Sequence, residues 1–264
     1  MKSGAVCNIA MKQIKQSLPK DLHRNMINTA IVRYSVIFMI LLLPAVSFPG
    51  DQRVLFRDDF DSLENWKPFY FPKINTYSSY SVIADRNTFL LKTESSASAS
   101  ALIYKNTFNV YDFPRVRWRW KVENVYYGGD AKTKSGDDYP LRIYIMFEFI
   151  PDKATLFEKL TFGIAKTLYK SYPPHSSLNY IWANRIHDEN MIISPYTDRS
   201  VMIVLEEGTE KVGTWVDEEV NIIRDYKRAF GTDPPEKASI AIMNDSDNTQ
   251  EASISYMDFI EVLK

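Results

Sequence analysis

The chain has 264 residues, 45% of them hydrophobic, with 32 basic and 33 acidic side chains and one cysteine. That is enough chain and enough apolar character to bury a real core. Without a basic surplus to neutralise phosphates, a nucleic-acid partner is excluded from the leading readings. The lone Cys7 leaves no disulfide framework and no thiolate metal site.

The first feature in chain order is the apolar run Val36 to Leu43, preceded by Arg24 and Arg33 and followed by Ala45-Val46-Ser47. A basic region, a short apolar core and a small-x-small site form the pattern of a cleavable signal peptide. A run of this length falls short of the roughly 20 apolar residues needed to span a bilayer. The polar stretch Met1 to Asn25 is long for an n-region and points to Met26 as the start of translation. An uncleaved membrane anchor is the alternative.

Cleavage after Ser47 takes Cys7, six of the 32 basic residues and one of the 33 acidic ones, leaving residues 48–264 with a net charge of −6. We expect residues 1–47 to be an extension and signal peptide and residues 48–264 to be one exported domain, periplasmic or extracellular. No later segment is apolar and long enough to span a membrane, and no cysteine follows the apolar run to carry a lipid.

Past Phe48, short alternating segments broken by turn residues predict an all-β chain. Val54 to Phe56 ends in the acidic turn Asp58-Asp59-Phe60-Asp61. Strands are predicted at Tyr80 to Ala84, Phe89 to Thr93 and Ala101 to Tyr104. The strictest alternation runs from Arg115 to Glu123, with Val116, Trp118, Trp120 and Val122 on one face and Arg115, Arg117, Arg119 and Lys121 on the other. Leu141 to Ile150 repeats the design and places Arg142 and Tyr144 on its polar face. Further strands are predicted at Leu178 to Ala183, Val201 to Glu206, Thr214 to Asn221, Ala238 to Met243 and Ala252 to Val262. Helices are predicted at Ala154 to Tyr169, from its leucine stripe, and at Ile222 to Phe230, which stops at Gly231. So few helices beside so many strands are short insertions on a β-sandwich.

Several segments together resemble one known group. They are Arg117-Trp118-Arg119-Trp120, Gly136 to Tyr144, Leu178 to Ala183, Asp225-Tyr226 with Phe230-Gly231, and Asp245 to Thr249. The chain is similar to a bacterial family named only as domain of unknown function 3047, over nearly all of residues 48–264. The resemblance implies no activity. A looser likeness, carried by the Asp-Asp-Phe turn and the closing Tyr256 to Ile260 strand, is to concanavalin-like sandwiches of the jelly-roll kind, many of which bind or cleave carbohydrate. That is an analogy of fold.

The row Arg115, Arg117, Arg119 and Lys121 either grips an anionic or polyhydroxyl ligand or pairs with carboxylates on neighbouring strands, Glu148 for example. Asp137 and Asp138, in the turn before Arg142, accept sugar hydroxyls, hold a hard cation, or simply make the turn. Asp245-Ser246-Asp247-Asn248-Thr249 is the calcium candidate, weighed against an Asx turn. It is not an EF-hand loop, because Gln250 stands where glycine is needed and Tyr256 where glutamate is. Trp118 and Trp120 read as core, with Trp66, Trp182 and Trp215 undecided. Tyr126 and Tyr127, beside Gly128-Gly129, form the more credible stacking platform. His175 and His187 have no zinc partners.

The leading expectation is a carbohydrate- or envelope-glycan-binding module with a groove of Arg117, Arg119, Asp137, Asp138, Arg142, Tyr144 and Asn179. Calcium is a candidate at Asp245 and Asp247, and no cofactor is required. The alternatives are a glycan-cleaving hydrolase or lyase and an envelope assembly protein that binds another protein. The sequence assigns no oligomeric state.

Overall fold

The computed structural model describes residues 53–72, 74–86, 88–151 and 173–264. The expected signal peptide and the expected helix Ala154 to Tyr169 lie outside them. The described residues fall within one compact unit, Gln52–Lys264.

Strands follow one another as β1 (Val54–Asp58), β2 (Trp66–Phe69), β3 (Ser79–Asp85), β4 (Thr88–Ser96), β5 (Ala99–Tyr104), β6 (Phe108–Asn109), β7 (Arg115–Val122) and β8 (Arg142–Phe147). Then come β9 (Ser176–Ala183), β10 (Met191–Ile193), β11 (Ser200–Glu207), β12 (Val216–Asn221), the helix α1 (Ile222–Phe230), β13 (Lys237–Asp245) and β14 (Ala252–Leu263).

They form two sheets, and the all-β sandwich expected from the alternation is the architecture found. The first sheet has the order β12-β7-β14-β4-β3, with β1 also pairing β14. The long β14 lies against β7 along one edge. Its other edge is shared by β4, opposite Ala252 to Met257, and β1, opposite Ile260 to Leu263. The second sheet has the order β10-β11-β9-β8-β13-β5-β2, with β6 on β13. Every pairing is antiparallel except β9 with β11.

The core lies between the sheets. Val116, Trp118, Trp120 and Val122 on β7 are fully buried, as are Ile143, Ile145 and Phe147 on β8 and Leu178, Tyr180 and Trp182 on β9. Trp118 meets Tyr180 with ring centroids 5.6 Å apart, and Trp120 meets Trp182 at 5.8 Å. Each such side chain contributes on the order of 1.5–3 kcal/mol by leaving water. Trp66 also joins this core. Its indole N–H donates to buried Asp58, which also accepts from the Phe60 amide, so the acidic turn after β1 anchors the core.

Three short strands had no sequence signal. β2, β6 and β10 have four, two and three residues, too few for a period to show, and β2 contains Pro68, which sheets accept at an edge. β8 is shorter than the expected Leu141 to Ile150. The helix α1 ends as expected, at Gly231 with φ 71°, and begins with the Asn221 side chain accepting from the Arg224 amide.

The outward face of the second sheet is covered too. Residues between β7 and β8 fold over it, and their Ala131 and Tyr139 pack on Ile181, Ala183 and Met202. Phe71 and Ile74, after β2, pack with Tyr144 on Ala99, Ala101 and Met243. Arg142, Tyr144, Asn179 and Asp245 lie beneath this cover.

Candidate functional site

Arg142 is the centre of a buried acidic cluster. It is 4% exposed and sits on β8 directly opposite Met243 of β13, two residues before Asp245. Its Nη2 donates to Asp245 Oδ2 at 2.5 Å, and its Nη1 lies 3.5 Å from Asp137 Oδ1. The rings of Tyr139 and Tyr144 flank the guanidinium at 4.8 and 5.2 Å. The arrangement is a cation held between two carboxylates and two aromatic faces.

Asp138, fully buried, reaches into the β13–β14 turn. Its carboxylate accepts from the backbone and side-chain N–H groups of Asn248 and from the Thr249 amide. This brings it to Asp245 and Asp247, so that one carboxylate oxygen from each of Asp138, Asp245 and Asp247 lies within 4.8 Å of the others. The turn closes with Gln250 at φ 61°, a left-handed conformation that glycine adopts more easily.

Four carboxylates thus gather in one cluster with a single guanidinium, which touches two of them, Asp137 and Asp245. Burial pushes the carboxyls of Asp137, Asp245 and Asp247 up. For Asp137 and Asp245, Arg142 opposes the shift and Asp138 adds to it; for Asp247, Asp138 adds and Arg142 opposes. Asp137 Oδ1, moreover, makes no hydrogen bond. Such an excess of buried negative charge is relieved by protonation or by a cation, and the Asp138–Asp245–Asp247 triad can hold a metal ion. The sequence reading assigned Asp137 and Asp138 to one feature and Asp245 and Asp247 to another; the structure merges them.

Tyr144 and Asn179 are opposite one another in the β8–β9 ladder. Asn179 is buried, donates to Ser200 Oγ at 2.8 Å and leaves its Oδ1 unpartnered.

Arg117 and Arg119 do not join this group. They lie on the outward face of the first sheet, the opposite side of the sandwich, because their strand buries its tryptophans toward the second sheet. There they are neutralised. Arg117 pairs with Glu261, and Arg119 lies 3.7 Å from Asp217 and 3.6 Å from Asp258, while Arg115 pairs with Glu219 at 3.0 Å. The single groove expected from the sequence is therefore two separate faces. The basic row pairs with neighbouring strands as one of its readings held, but through β12 and β14; Glu148, exposed just past β8, is no partner of it. Trp215 and Tyr256 flank Lys121 on this same face.

The expected tyrosine platform divides. Tyr126 is 1% exposed, with its hydroxyl tied into a buried network of Ser95, Ser253 and Asn244. Tyr127 is 97% exposed. Its backbone is nonetheless pinned: the Tyr127 and Gly128 amides donate to the Glu251 carboxylate at 3.0 and 2.8 Å, and Arg185 donates to the carbonyls of Tyr127 and Gly129. Asn184 accepts from the Tyr126 amide and donates to the Asp138 carbonyl, tying this segment to the acidic cluster. Glu251, Arg185 and Asn184 carried no signal in the sequence, since each acts on residues more than 45 positions away.

Solved structures similar in fold include the family 11 carbohydrate-binding module of Clostridium thermocellum, complexed with a β-1,3-1,4-mixed-linked tetrasaccharide (10% identity, 80% of this chain and 94% of that one, TM-score 0.38). They also include the family 12 endoglucanase 3 of Trichoderma harzianum (7%, 82% and 100%, TM-score 0.39) and the winged bean acidic lectin complexed with methyl-α-D-galactose (11%, 81% and 100%, TM-score 0.33). No curated protein matches the chain. The sequence profile of a family described as protein of unknown function, DUF3047, matches residues 64–261. The chain belongs to this DUF3047 family.

Proposed function

We propose that residues 48–264 form a glycan-binding module whose recognition segment is braced by calcium. The observation that carries the reading is Tyr127: an aromatic ring held almost wholly in water on a backbone fixed by Glu251 and Arg185. A ring carried on a pre-ordered backbone offers an apolar face for a sugar without the cost of ordering the chain on binding.

The acidic triad supports the calcium part. Its ligands are all hard oxygens, and three oxygens within 4.8 Å of one another are close enough to share one ion whose bonds are about 2.3–2.6 Å. Calcium there ties the turn that carries Asp247 to the segment that carries Asp138, which Asn184 joins to the amide of Tyr126, the neighbour of Tyr127. The basic, apolar and small-residue pattern before Phe48 supports export to the compartment where glycans are met.

The test is a set of thermal melts of the full-length protein with calcium, with chelator and with a panel of polysaccharides. A ligand at a hundredfold over its dissociation constant adds about 2.7 kcal/mol. For a domain of this size, each 1 kcal/mol raises the midpoint by roughly 2–4 °C. Calcium is expected to raise the midpoint, Asp245→Asn to remove that rise, and Tyr127→Ala to weaken glycan binding about tenfold with an unchanged midpoint. A panel that binds no better than buffer overturns the glycan reading. An unchanged midpoint with calcium overturns the metal.

A further inference from the structure

A concavity lies beside the Tyr127 segment, and none of the residues expected to bind ligand belongs to it. It is a trough of about 580 Å³ between the start of β14, the end of β4 and the residues leading into β3. That volume falls in the range of small-molecule sites. Seven of its eleven lining residues carry a hydroxyl, and none is Lys, Arg or His.

The walls are fixed. Ser95 and Ser253 hydrogen-bond to the buried Tyr126 hydroxyl at 2.9 and 2.5 Å, and Ser98 Oγ accepts from the Ser96 amide at 3.0 Å. Asn124 is held by the Ala252 carbonyl at 2.9 Å. At the rim, Tyr77 is 47% exposed and leans on Tyr70, 53% exposed, with ring centroids 4.4 Å apart. The trough adjoins the platform through chain continuity. Asn124 is three residues before Tyr127, and Ala252 follows Glu251, whose carboxylate pins Tyr127.

We infer that this trough is a subsite for a neutral sugar ring, which deepens the glycan reading and rests on it. Hydroxyls and one amide exchange hydrogen bonds with sugar hydroxyls, and the Tyr77 face covers the ring's C–H side. An anionic sugar would find no cation in the lining to meet its charge, since the one charged lining residue, Glu94, is a carboxylate that already holds Lys92 at 2.8 Å. The basic row of the first sheet lies elsewhere and is already neutralised.

The experiment is calorimetric titration of the full-length protein with neutral hexasaccharides, cellohexaose and mannohexaose, and with hexagalacturonate. Three variants are compared: Ser96→Trp, which fills the trough from an exposed position, Tyr77→Ala, and Tyr127→Ala. A neutral hexasaccharide is expected to bind at least about tenfold tighter than hexagalacturonate, and to lose about tenfold with either Ser96→Trp or Tyr77→Ala. Tighter binding of hexagalacturonate overturns the neutral class. Loss only with Tyr127→Ala overturns the trough and leaves the glycan module standing. No binding of any hexasaccharide overturns both.

Discussion

At the scale of single residues, charges inside this sandwich behave differently from charges on it. Arg115 and Arg119 sit in partly exposed pairs that each add little, whereas Arg117 and Arg57 share the buried Glu261, whose carboxylate would be left uncompensated without them. Glu218 is the instructive opposite. It lies on β12, yet turns inward beside Trp118 and Trp120, and one of its oxygens is buried without a hydrogen bond. Across from it on β11 is Glu206, paired with Lys211 at 2.6 Å, and Asp217 is its neighbour in the chain. Burial, reinforced by Glu206, pushes the Glu218 carboxyl up to about 7. The folded protein therefore holds a proton that the unfolded chain releases. Stability then falls as pH rises from the ordinary carboxylate range through about 7, and levels off above it. Glu218→Gln is expected to change little at pH 5 and to add about 1 kcal/mol at pH 8, discounted for the part of the group that water reaches. Melts at the two pH values measure this, and an equal gain at both would exclude titration as its cause.

At the scale of elements, the segment between β7 and β8 shows how a stretch without regular structure is held rigid. Its glycines serve close approach. A Cβ on Gly129 would come within 2.1 Å of Asn184 Nδ2, and one on Gly136 within 2.5 Å of the Asp130 amide. Asn184 cannot give way freely, because its side chain bonds the Tyr126 amide at 2.8 Å and the Asp138 carbonyl at 2.6 Å. Gly129→Ala is expected to break that clasp and cost about 1–3 kcal/mol, the penalty for leaving buried polar groups unpaired. Gly128→Ala should cost less, since the nearest atom to its Cβ is the end of the Glu251 side chain at 3.3 Å. Chemical denaturation of both variants ranks them, and the reverse order would show that the Asn184 clasp does not hold this segment.

At the scale of the whole molecule, one hydrophobic core joins residues of both sheets, from Phe60 and Leu91 to Trp182 and Val262. The two faces of the sandwich share it, so neither sheet keeps its burial if the other opens. Unfolding followed by tryptophan fluorescence, which reports the buried Trp66, Trp118, Trp120 and Trp182 together with Trp215, should coincide with unfolding followed by far-ultraviolet dichroism. Separate transitions would mean that the shared core does not bind the two sheets into one unfolding unit. The outward cover over Arg142 and Tyr144 is built on two smaller clusters, one around Tyr139 and Met202 and one around Ala99 and Met243.

The class of fold was legible in the sequence because side-chain alternation is local. The row from Arg115 to Val122 states which face is buried without reference to any other strand, and Gly231 states where α1 stops. The sites were legible only in parts. Asp137, Asp138, Arg142, Asp245 and Asp247 could each be singled out by residue type, but Asp138 meets Asn248 and Thr249 across 110 and 111 residues of chain. Nothing local records that meeting. The same holds for Arg117 and Arg119, whose carboxylate partners arrive on β12 and β14. Alternation along one strand reports which face is wet; which strands lie beside it, and so which charges are already answered, is decided by the pairing of the sheet.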